Sequence, residues 1–339
     1  MLPASGPRPV PSPDAMDPLT ATVLARMRRA YPDLGGDVRS PVPARQLVEA
    51  ARYPPGPRMD DVRELLVGDG VHARLYLPGG RTPGAPTIVY FHGGGFVVGG
   101  LETHDTACRV LAADTGRPVL SVAYRLAPEH PFPAAVDDAT EALAWASDHG
   151  DEWGARGVIA GGDSAGGALA LLACVRDGDG DGGPSGAGRP GGAGRPGGAG
   201  RPGGAGVPPA PVDVAGVLLV YPVADLSAAW VDATPSLLTA AHMRWFRDLY
   251  LAGTDPRDPR ASPLYADLAG LPPVVLVLVS HDPLLAEGRR LLAALREQGV
   301  DVALVEGPGV SHGMFGLGSL LPAVREVELS AARAVRSLG

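Results

Sequence analysis

A single serine stands between glycines in the stretch GGDSAGG, Gly161 to Gly167, directly after the apolar residues VIA. The pattern G-x-S-x-G around Ser164 is typical of a sharp turn from a strand into a helix that exposes a nucleophilic serine hydroxyl. Gly162 and Gly166 suit such a turn because the serine backbone is strained and neighbouring chain packs against it. A glycine-rich turn without chemistry is the alternative interpretation, since the chain has 48 glycines.

A run of three glycines follows another apolar stretch, in TIVYFHGGGF. A substrate oxygen can approach the N–H groups of Gly93, Gly94 and Gly95 closely, because no side chain stands beside them. Donors aimed at developing negative charge form an oxyanion hole and are each worth about 3–4 kcal/mol. The residue after the nucleophile, here Ala165, is expected to supply a further donor. A simple glycine turn is one alternative; a dinucleotide-binding loop is another, but the glycine spacing does not fit it.

A serine nucleophile needs a base, and His312 in PGVSHGMFG is the best placed histidine. It follows the last predicted strand on a glycine-flanked loop, where the carboxyl end of a parallel sheet would hold it over Ser164. His92 directly precedes the three glycines and is expected to brace their loop. The histidines that fit less well fall in a hairpin, in helical segments or in a proline-rich stretch: His72, His104, His130, His149 and His242.

The base in turn needs a carboxylate that holds its tautomer and stabilises its charged form. Asp282, in SHDPLLAEG, follows the apolar run PPVVLVLVS at the same end of the predicted sheet. Glu287 is a rival that falls in the next helix and is expected to face away, and Glu306 at the end of the last strand is a weaker rival. The order Ser164, Asp282, His312 is that of an α/β-hydrolase triad.

The elements that must position these residues follow from the hydrophobic pattern. From Thr87 onward, short β-branched runs alternate with longer helical segments, which predicts a mostly parallel sheet with helices on both faces. The segment DVRELLVGDGVHARLYLP, from Asp61, adds a hairpin around its GDG turn. We therefore predict one α/β core over residues 61–339.

Three segments stand apart from this core. The proline-rich residues 1–15 predict a disordered tail, and residues 16–60 form a separate N-terminal segment with helical periodicity. From Asp177 to Pro211, Gly, Pro, Ala, Arg and Asp dominate, and GAGRPG repeats three times. The repeat has no apolar position for a solenoid and breaks the collagen period, so it predicts a flexible surface insertion.

Composition excludes several classes of protein. Of the 339 residues 45% are hydrophobic, enough for a sizeable core, and the net charge of −8 without a basic stripe argues against a nucleic-acid partner. Cys108 and Cys174 are expected to be buried thiols, because two cysteines make no disulfide framework and no metal-type spacing is present. Without a signal-peptide pattern or an apolar run of about 20 residues, a soluble cytoplasmic protein is expected.

Five strings occur together in this order: YFHGGGFVVGG, SVAYRLAPEHPFPAAVDDA, GGDSAGG, SHDPLLAEG and HGMF. On these strings the sequence, from about Asp61 to its end, resembles the hormone-sensitive-lipase family of α/β-hydrolases, the bacterial family IV carboxylesterases. The resemblance implies the α/β-hydrolase fold with a small helical lid. It also implies a cofactor-free serine carboxylesterase for short to medium acyl esters, acting through Ser164, Asp282 and His312. It leaves a homodimer open.

The implied lid consists of residues 16–60 and a second segment at about 227–253. Four side chains of the second segment either line an acyl pocket or pack the lid onto the core: Met243, Trp245, Phe246 and Tyr250. The sequence departs from the family where Leu285 and Ala286 stand in place of an arginine and an aspartate, and in its glycine–proline insertion.

Two other functions remain as alternatives. An amidase or deacetylase acting on acylated small molecules would use the same triad. A small-molecule receptor of the same fold, as in the plant gibberellin receptors, keeps the lid but loses the catalytic histidine, whereas His312 is present here.

Overall fold

The structure is a computed structural model that describes residues 15–51, 53–175 and 212–339. The insertion predicted at 177–211 lies outside the described residues, and so does the predicted tail apart from Ala15. None of the helices in the described ranges has the length and apolarity that crossing a bilayer requires.

Eight strands form one sheet in the order β1-β2-β4-β3-β5-β6-β7-β8. The first two pair as the predicted antiparallel hairpin, β2 also pairs antiparallel with β4, and all further pairs are parallel. The mostly parallel sheet predicted from the sequence is thereby confirmed. The strands are β1 (Asp61–Val67), β2 (Val71–Leu77), β3 (Thr87–Phe91), β4 (Val119–Val122), β5 (Val158–Asp163), β6 (Val214–Val220), β7 (Val274–His281) and β8 (Val302–Ser311).

Helices cover both faces of this sheet. They are α1 (Pro18–Ala30), α2 (Pro41–Glu49), α3 (Asp105–Thr115), α4 (Ala134–His149), α5 (Ala165–Leu172), α6 (Ala240–Leu251), α7 (Leu285–Glu297) and α8 (Pro322–Arg336). One apolar layer contains residues of α2, α4, α5, α6 and α7, and the other contains residues of α1, α3 and α8.

Strand pleating divides the side chains of each strand between these two layers. In β3, Val89 and Phe91 belong to the layer with α4 and α5, whereas Ile88 and Tyr90 belong to the layer with α3 and α8. Because both faces are buried, all five residues of β3 are buried, which is why the parallel strands read as unbroken apolar runs in the sequence.

One of the two cysteines departs from the expectation that both are buried. Cys108 is buried in α3 as expected, but Cys174, two residues beyond the end of α5, is only partly buried. The predicted N-terminal lid segment contains α1 and α2, and the predicted second lid segment contains α6.

Candidate active site

Ser164 lies in the sharp turn between β5 and α5 and has a left-handed φ of +54°. A Cβ on Gly166 would lie 1.9 Å from the carbonyl oxygen of Phe91, and one on Gly162 would lie 2.4 Å from the carbonyl carbon of Gly166. Glycine is therefore required on both sides of the serine, because the turn packs directly against the end of β3. The strained turn presents the serine hydroxyl at the carboxyl end of the sheet.

Three side chains from separate parts of the sequence meet at this end of the sheet. The Nε2 atom of His312 lies 3.0 Å from Ser164 Oγ, and its Nδ1 atom lies 2.8 Å from Asp282 Oδ2. Each of the three residues is at most 7% exposed. An imidazole whose Nδ1–H donates to the aspartate leaves Nε2 free to accept the serine proton.

The loops after β7 and β8 hold the acid and the base. Asp282 Oδ1 accepts a hydrogen bond of 2.8 Å from the N–H of Leu284, and the N–H of His312 donates to the carbonyl of His281 over 3.2 Å. The ring of Tyr221 lies 4.4 Å from the imidazole of His312, between centroids. These contacts fix the carboxylate and the imidazole relative to each other.

The two rival carboxylates are engaged or placed elsewhere. Glu287 accepts hydrogen bonds of 2.9 Å from the N–H of Ala224 and from Trp230 Nε1. Burial raises the pKa of Glu287 to about 8, against the opposing effect of these hydrogen bonds. Glu306 lies on β8 with its side chain exposed. The geometry thus favours Asp282 as the partner of His312.

The three glycines after β3 are not equivalent. The N–H of Gly93 donates a hydrogen bond of 3.0 Å to Asp163 Oδ1, so the prediction of Gly93 as an oxyanion donor is wrong. Gly94 and Gly95 have left-handed φ values of +115° and +60°. A Cβ on Gly94 would lie 2.0 Å from the carbonyl oxygen of Val98, so the loop folds back tightly on itself.

Two loop amides and one helix amide remain as candidate oxyanion donors. The N–H groups of Gly94 and Gly95 make no backbone hydrogen bond within the described ranges. Ala165 begins α5, and the first N–H groups of a helix have no acceptor inside that helix. β3 pairs with β5 so that Phe91 lies opposite Gly162, which brings the glycine loop beside Ser164.

Asp163, which sequence reasoning missed, joins the serine turn to the glycine loop. Its Oδ1 atom accepts from the hydroxyl of Tyr90 at 2.8 Å and from Gly93, and it lies 3.4 Å from His104 Nε2. Burial alone would raise the pKa of Asp163, but attraction to His104 and the hydrogen bonds from His104 and Tyr90 outweigh it and lower the pKa. The signal available in the sequence was an acidic residue directly before the serine.

His92 occupies the position expected of a brace for the glycine loop. Its Nδ1 atom lies 2.7 Å from the carbonyl oxygen of Gly93, and its ring stacks on Tyr124 with 4.4 Å between centroids. The Tyr124 hydroxyl donates to the His92 carbonyl at 2.7 Å. Burial lowers the pKa of His92 to about 3, so its imidazole is neutral.

Comparison with known proteins identifies the family. A family model described as the alpha/beta hydrolase fold matches residues 88–316. The chain is an α/β-hydrolase. Carboxylic ester hydrolase LipN of Mycobacterium tuberculosis is 38% identical to this chain over 285 residues, which cover 78% of this chain and 68% of LipN. The ethyl acetate hydrolase of Pseudomonas putida is 33% identical, and the match covers 75% of this chain and 74% of that protein.

Solved structures of esterases share the fold of this α/β-hydrolase. The esterase of Pyrobaculum calidifontis superposes with a TM-score of 0.76 at 30% identity and covers 95% of this chain and 98% of its own. An ester-hydrolase from the metagenome of Lake Arreo, complexed with a bipyridine phosphonate derivative, gives a TM-score of 0.75 at 33% identity with the same coverage of both chains. The fold predicted from the motifs, and the resemblance behind it, are confirmed.

A cleft of about 120 Å³ opens onto the serine of this α/β-hydrolase. Of the four pocket residues predicted in the second lid segment, Met243 and Phe246 line the cleft, three positions apart on one face of α6. Trp245 does not, because it lies on another side of α6 and its Nε1 donates to the carbonyl of Arg39 over 3.2 Å. Tyr250 lies a turn beyond the cleft and stacks on Phe96, with centroids 3.9 Å apart.

Sequence reasoning also missed a part of the cleft wall that comes from the N-terminal segment. This part contains residues of α1 and α2 and residues that follow each helix: Met27, Tyr31, Val48 and Tyr53. These positions carry no motif of their own. Among the residues that the structure describes, no group of three or more His, Cys, Asp or Glu side chains could hold a metal ion.

Proposed function

We propose that this α/β-hydrolase is a serine carboxylesterase in which Ser164, His312 and Asp282 form the catalytic triad. The observation that carries the proposal is the continuous chain of contacts, 3.0 Å from serine Oγ to Nε2 and 2.8 Å from Nδ1 to the aspartate, beside a cleft that Ser164 and His312 line. Relatives named as carboxylic ester hydrolases and esterases support ester hydrolysis as the reaction.

The proposed reaction has two steps with one covalent intermediate. His312 accepts the hydroxyl proton of Ser164 as Oγ attacks the ester carbonyl carbon, and the carbonyl oxygen takes up negative charge. His312 then donates that proton to the leaving alkoxide, which departs as an alcohol and leaves an acyl-enzyme. Water, deprotonated by the same imidazole, releases the acid and restores the serine. Asp282 stays ionised and stabilises the imidazolium in each step.

The oxyanion in both steps is assigned to the N–H groups of Gly94, Gly95 and Ala165. The loop backbone is held by hydrogen bonds from the N–H groups of Val97 and Val98 to the carbonyl of Gly94, and Ala165 begins α5. Preorganised donors of this kind need no rearrangement when charge develops. Gly93 acts differently: its hydrogen bond to Asp163 holds the loop in place beside the serine. Gly93 is therefore a positioning residue in this proposal.

The cleft supports short acyl groups as substrates. Its volume of about 120 Å³ is well below the roughly 300–1,000 Å³ of pockets for drug-sized ligands. We propose that residues 16–60 and 227–253 act as the lid that forms its walls. A homodimer and a cytoplasmic location remain predictions from the sequence.

The test is hydrolysis of p-nitrophenyl butyrate by the parent protein and by Ser164→Ala. Removal of the nucleophile in a comparable hydrolase lowers kcat by about 10⁶-fold, and we expect loss to the limit of detection. Ser330→Ala, a serine exchange on α8 away from the cleft, is the matched control and should keep parental activity. An active Ser164→Ala would refute the nucleophile assignment.

The alternatives predicted from the sequence give different results in the same experiment. A faster rate on butyramide anilides than on matched esters would replace the esterase by an amidase. Tight ligand binding without turnover by the parent would indicate a receptor, although a receptor has no need for the acid, base and nucleophile at hydrogen-bonding distances.

A further inference from the structure

His242 lines the same cleft as Ser164 but takes no part in the triad. It lies in the first turn of α6, where its backbone N–H donates to Thr239 Oγ1 over 3.1 Å, so its position on the helix is fixed. The residue is 5% exposed, and its Nδ1 atom has no hydrogen-bond partner among the described residues. Buried polar atoms are nearly always paired, with protein, water or ligand, so this nitrogen requires an explanation.

The imidazole of His242 is neutral in this setting. Burial lowers its pKa, more strongly than attraction to Asp33 and Asp232 and a hydrogen bond with the backbone of Leu237 raise it. A neutral imidazole has one nitrogen that donates and one that accepts, and either tautomer leaves Nδ1 with an unmet hydrogen bond. A hydroxyl group both donates and accepts, so it can pair with Nδ1 in either tautomer.

Two tyrosines bring further polar groups to this side of the cleft. The ring of Tyr31 lies 5.8 Å from the ring of His242 between centroids, tilted by 49°, and Tyr53 lines the cleft with it. Burial raises the pKa of both phenols, which therefore remain neutral donors and acceptors. Tyr53 also lies near enough to Asp163, the residue before the nucleophile, to be affected by its charge.

The neighbouring wall residues are apolar. Side chains such as Met27, Val48, Leu237 and Met243 would surround an alkyl chain without needing any of these polar groups. In ligand pockets, a few polar groups on an apolar wall fix the orientation of the ligand and give specificity. A ligand that leaves such a group unpaired binds more weakly, by about 5- to 150-fold for one buried group.

We propose that Tyr31, Tyr53 and His242 form a polar subsite that selects esters carrying an additional hydroxyl group over esters with purely alkyl chains. The inference rests on the proposed esterase function and names a substrate class for it. The hydroxyl of the substrate takes the hydrogen bond that Nδ1 of His242 lacks. The ester group itself stays at Ser164 and the oxyanion donors.

The test compares kcat/KM for matched esters by pH-stat titration. Ethyl butyrate is compared with each enantiomer of ethyl 3-hydroxybutyrate, which places the hydroxyl in the acyl part, and with 2-hydroxyethyl butyrate, which places it in the alcohol part. We expect at least one hydroxylated ester to be preferred by about 5- to 150-fold. Equal or lower kcat/KM for all of them overturns the proposal.

Variants then assign the preference to the subsite. His242→Leu should reduce the ratio of hydroxylated to alkyl ester to near one, whereas His242→Asn, whose amide replaces Nδ1, should retain part of it. His72→Leu, the same exchange at an exposed position of β2, is the control and should keep the parental ratio. A ratio that His242→Leu leaves at the parental value refutes the role of His242.

The results also separate this proposal from the proposed function. Hydrolysis of ethyl butyrate without any preference refutes the polar subsite and leaves the esterase intact. Absence of hydrolysis of every ester by the folded parent refutes the esterase itself. If His242→Leu fails to fold, His242→Asn decides. A ratio of hydroxylated to alkyl ester that falls below the parental value but stays above one supports the role of Nδ1, and a parental ratio refutes it.

Discussion

The substitution Gly95→Ala tests whether the glycine loop is a rigid donor site. The added Cβ would lie 2.1 Å from Cγ of Phe246, where carbon atoms in contact are about 3.5–4.0 Å apart. The loop or the ring must therefore move by more than about 1 Å. In addition, φ at Gly95 is +60°, a conformation that costs an L-residue about 1–2 kcal/mol.

These two effects set the size of the expected loss. Misplacement of a catalytic group by about 1 Å costs about 100-fold in rate, and loss of one oxyanion donor costs about 10²–10³-fold in kcat. We expect kcat/KM of Gly95→Ala on p-nitrophenyl butyrate to fall by about 10²–10³-fold, mainly through kcat. The decrease in kcat distinguishes a lost donor from a blocked cleft, which would mainly raise KM.

A matched control and a double variant identify the cause. Gly100→Ala, in the same loop, adds a Cβ with nothing within 4 Å and should keep kcat/KM within about threefold of the parent. In the background of Phe246→Ala, which removes the overlapping ring, the loss caused by Gly95→Ala should shrink to the about 5- to 30-fold that backbone strain accounts for. Equal kcat/KM for Gly95→Ala and Gly100→Ala would show that our reasoning about the loop is incorrect.

Two further predictions concern residues that hold the site in place. The pKa of Glu287 is about 8 in the folded state and near 4.5 in the unfolded state, so the folded state binds the additional proton and the free energy of unfolding falls as the pH rises between these values. In Glu287→Gln, the fall measured by urea titration between pH 5.5 and 8 should be smaller by at least about 1 kcal/mol, because the titrating group is absent. Glu306→Gln is the control and should show the parental fall. Arg45 Nε donates a hydrogen bond of 2.8 Å to the carbonyl of Val97 and so connects α2 to the glycine loop. Arg45→Lys should lower the melting temperature by a few degrees and raise KM several-fold. Arg39→Lys is the control, and equal KM values for the two variants would exclude this role of Arg45.

Much of the fold could be predicted because its signals are local. Each parallel strand buries both faces, so runs such as TIVYF and VVLVLV are visible without knowledge of their neighbours. The residues proposed as nucleophile, acid and base stand directly after β5, β7 and β8, and strand ends of a parallel sheet meet at one edge. Their proximity therefore followed from the order of the elements.

Other features depended on contacts between distant segments. Gly93 is indistinguishable from Gly94 in the sequence, but its N–H donates to the carboxylate of Asp163, 70 positions away, and also to His104 Nε2. Helical spacing places Met243 and Phe246 on one face of α6, but what that face contacts depends on the packing of the helix. Tyr31 and Tyr53 lie in an N-terminal segment without motifs, so nothing local indicated that they reach the cleft.

The reacting groups and much of the cleft wall come from different elements of the fold, and this has a consequence for how substrate specificity can evolve. The groups proposed to break the ester bond stand on strand ends of the sheet, whereas much of the cleft wall comes from α1, α2 and α6 and from the residues that follow the two N-terminal helices. Substitutions in these helices and in the residues that follow them change the shape of the cleft without displacing the serine, histidine or aspartate. The preferred ester can therefore change in small evolutionary steps while the reaction chemistry stays the same.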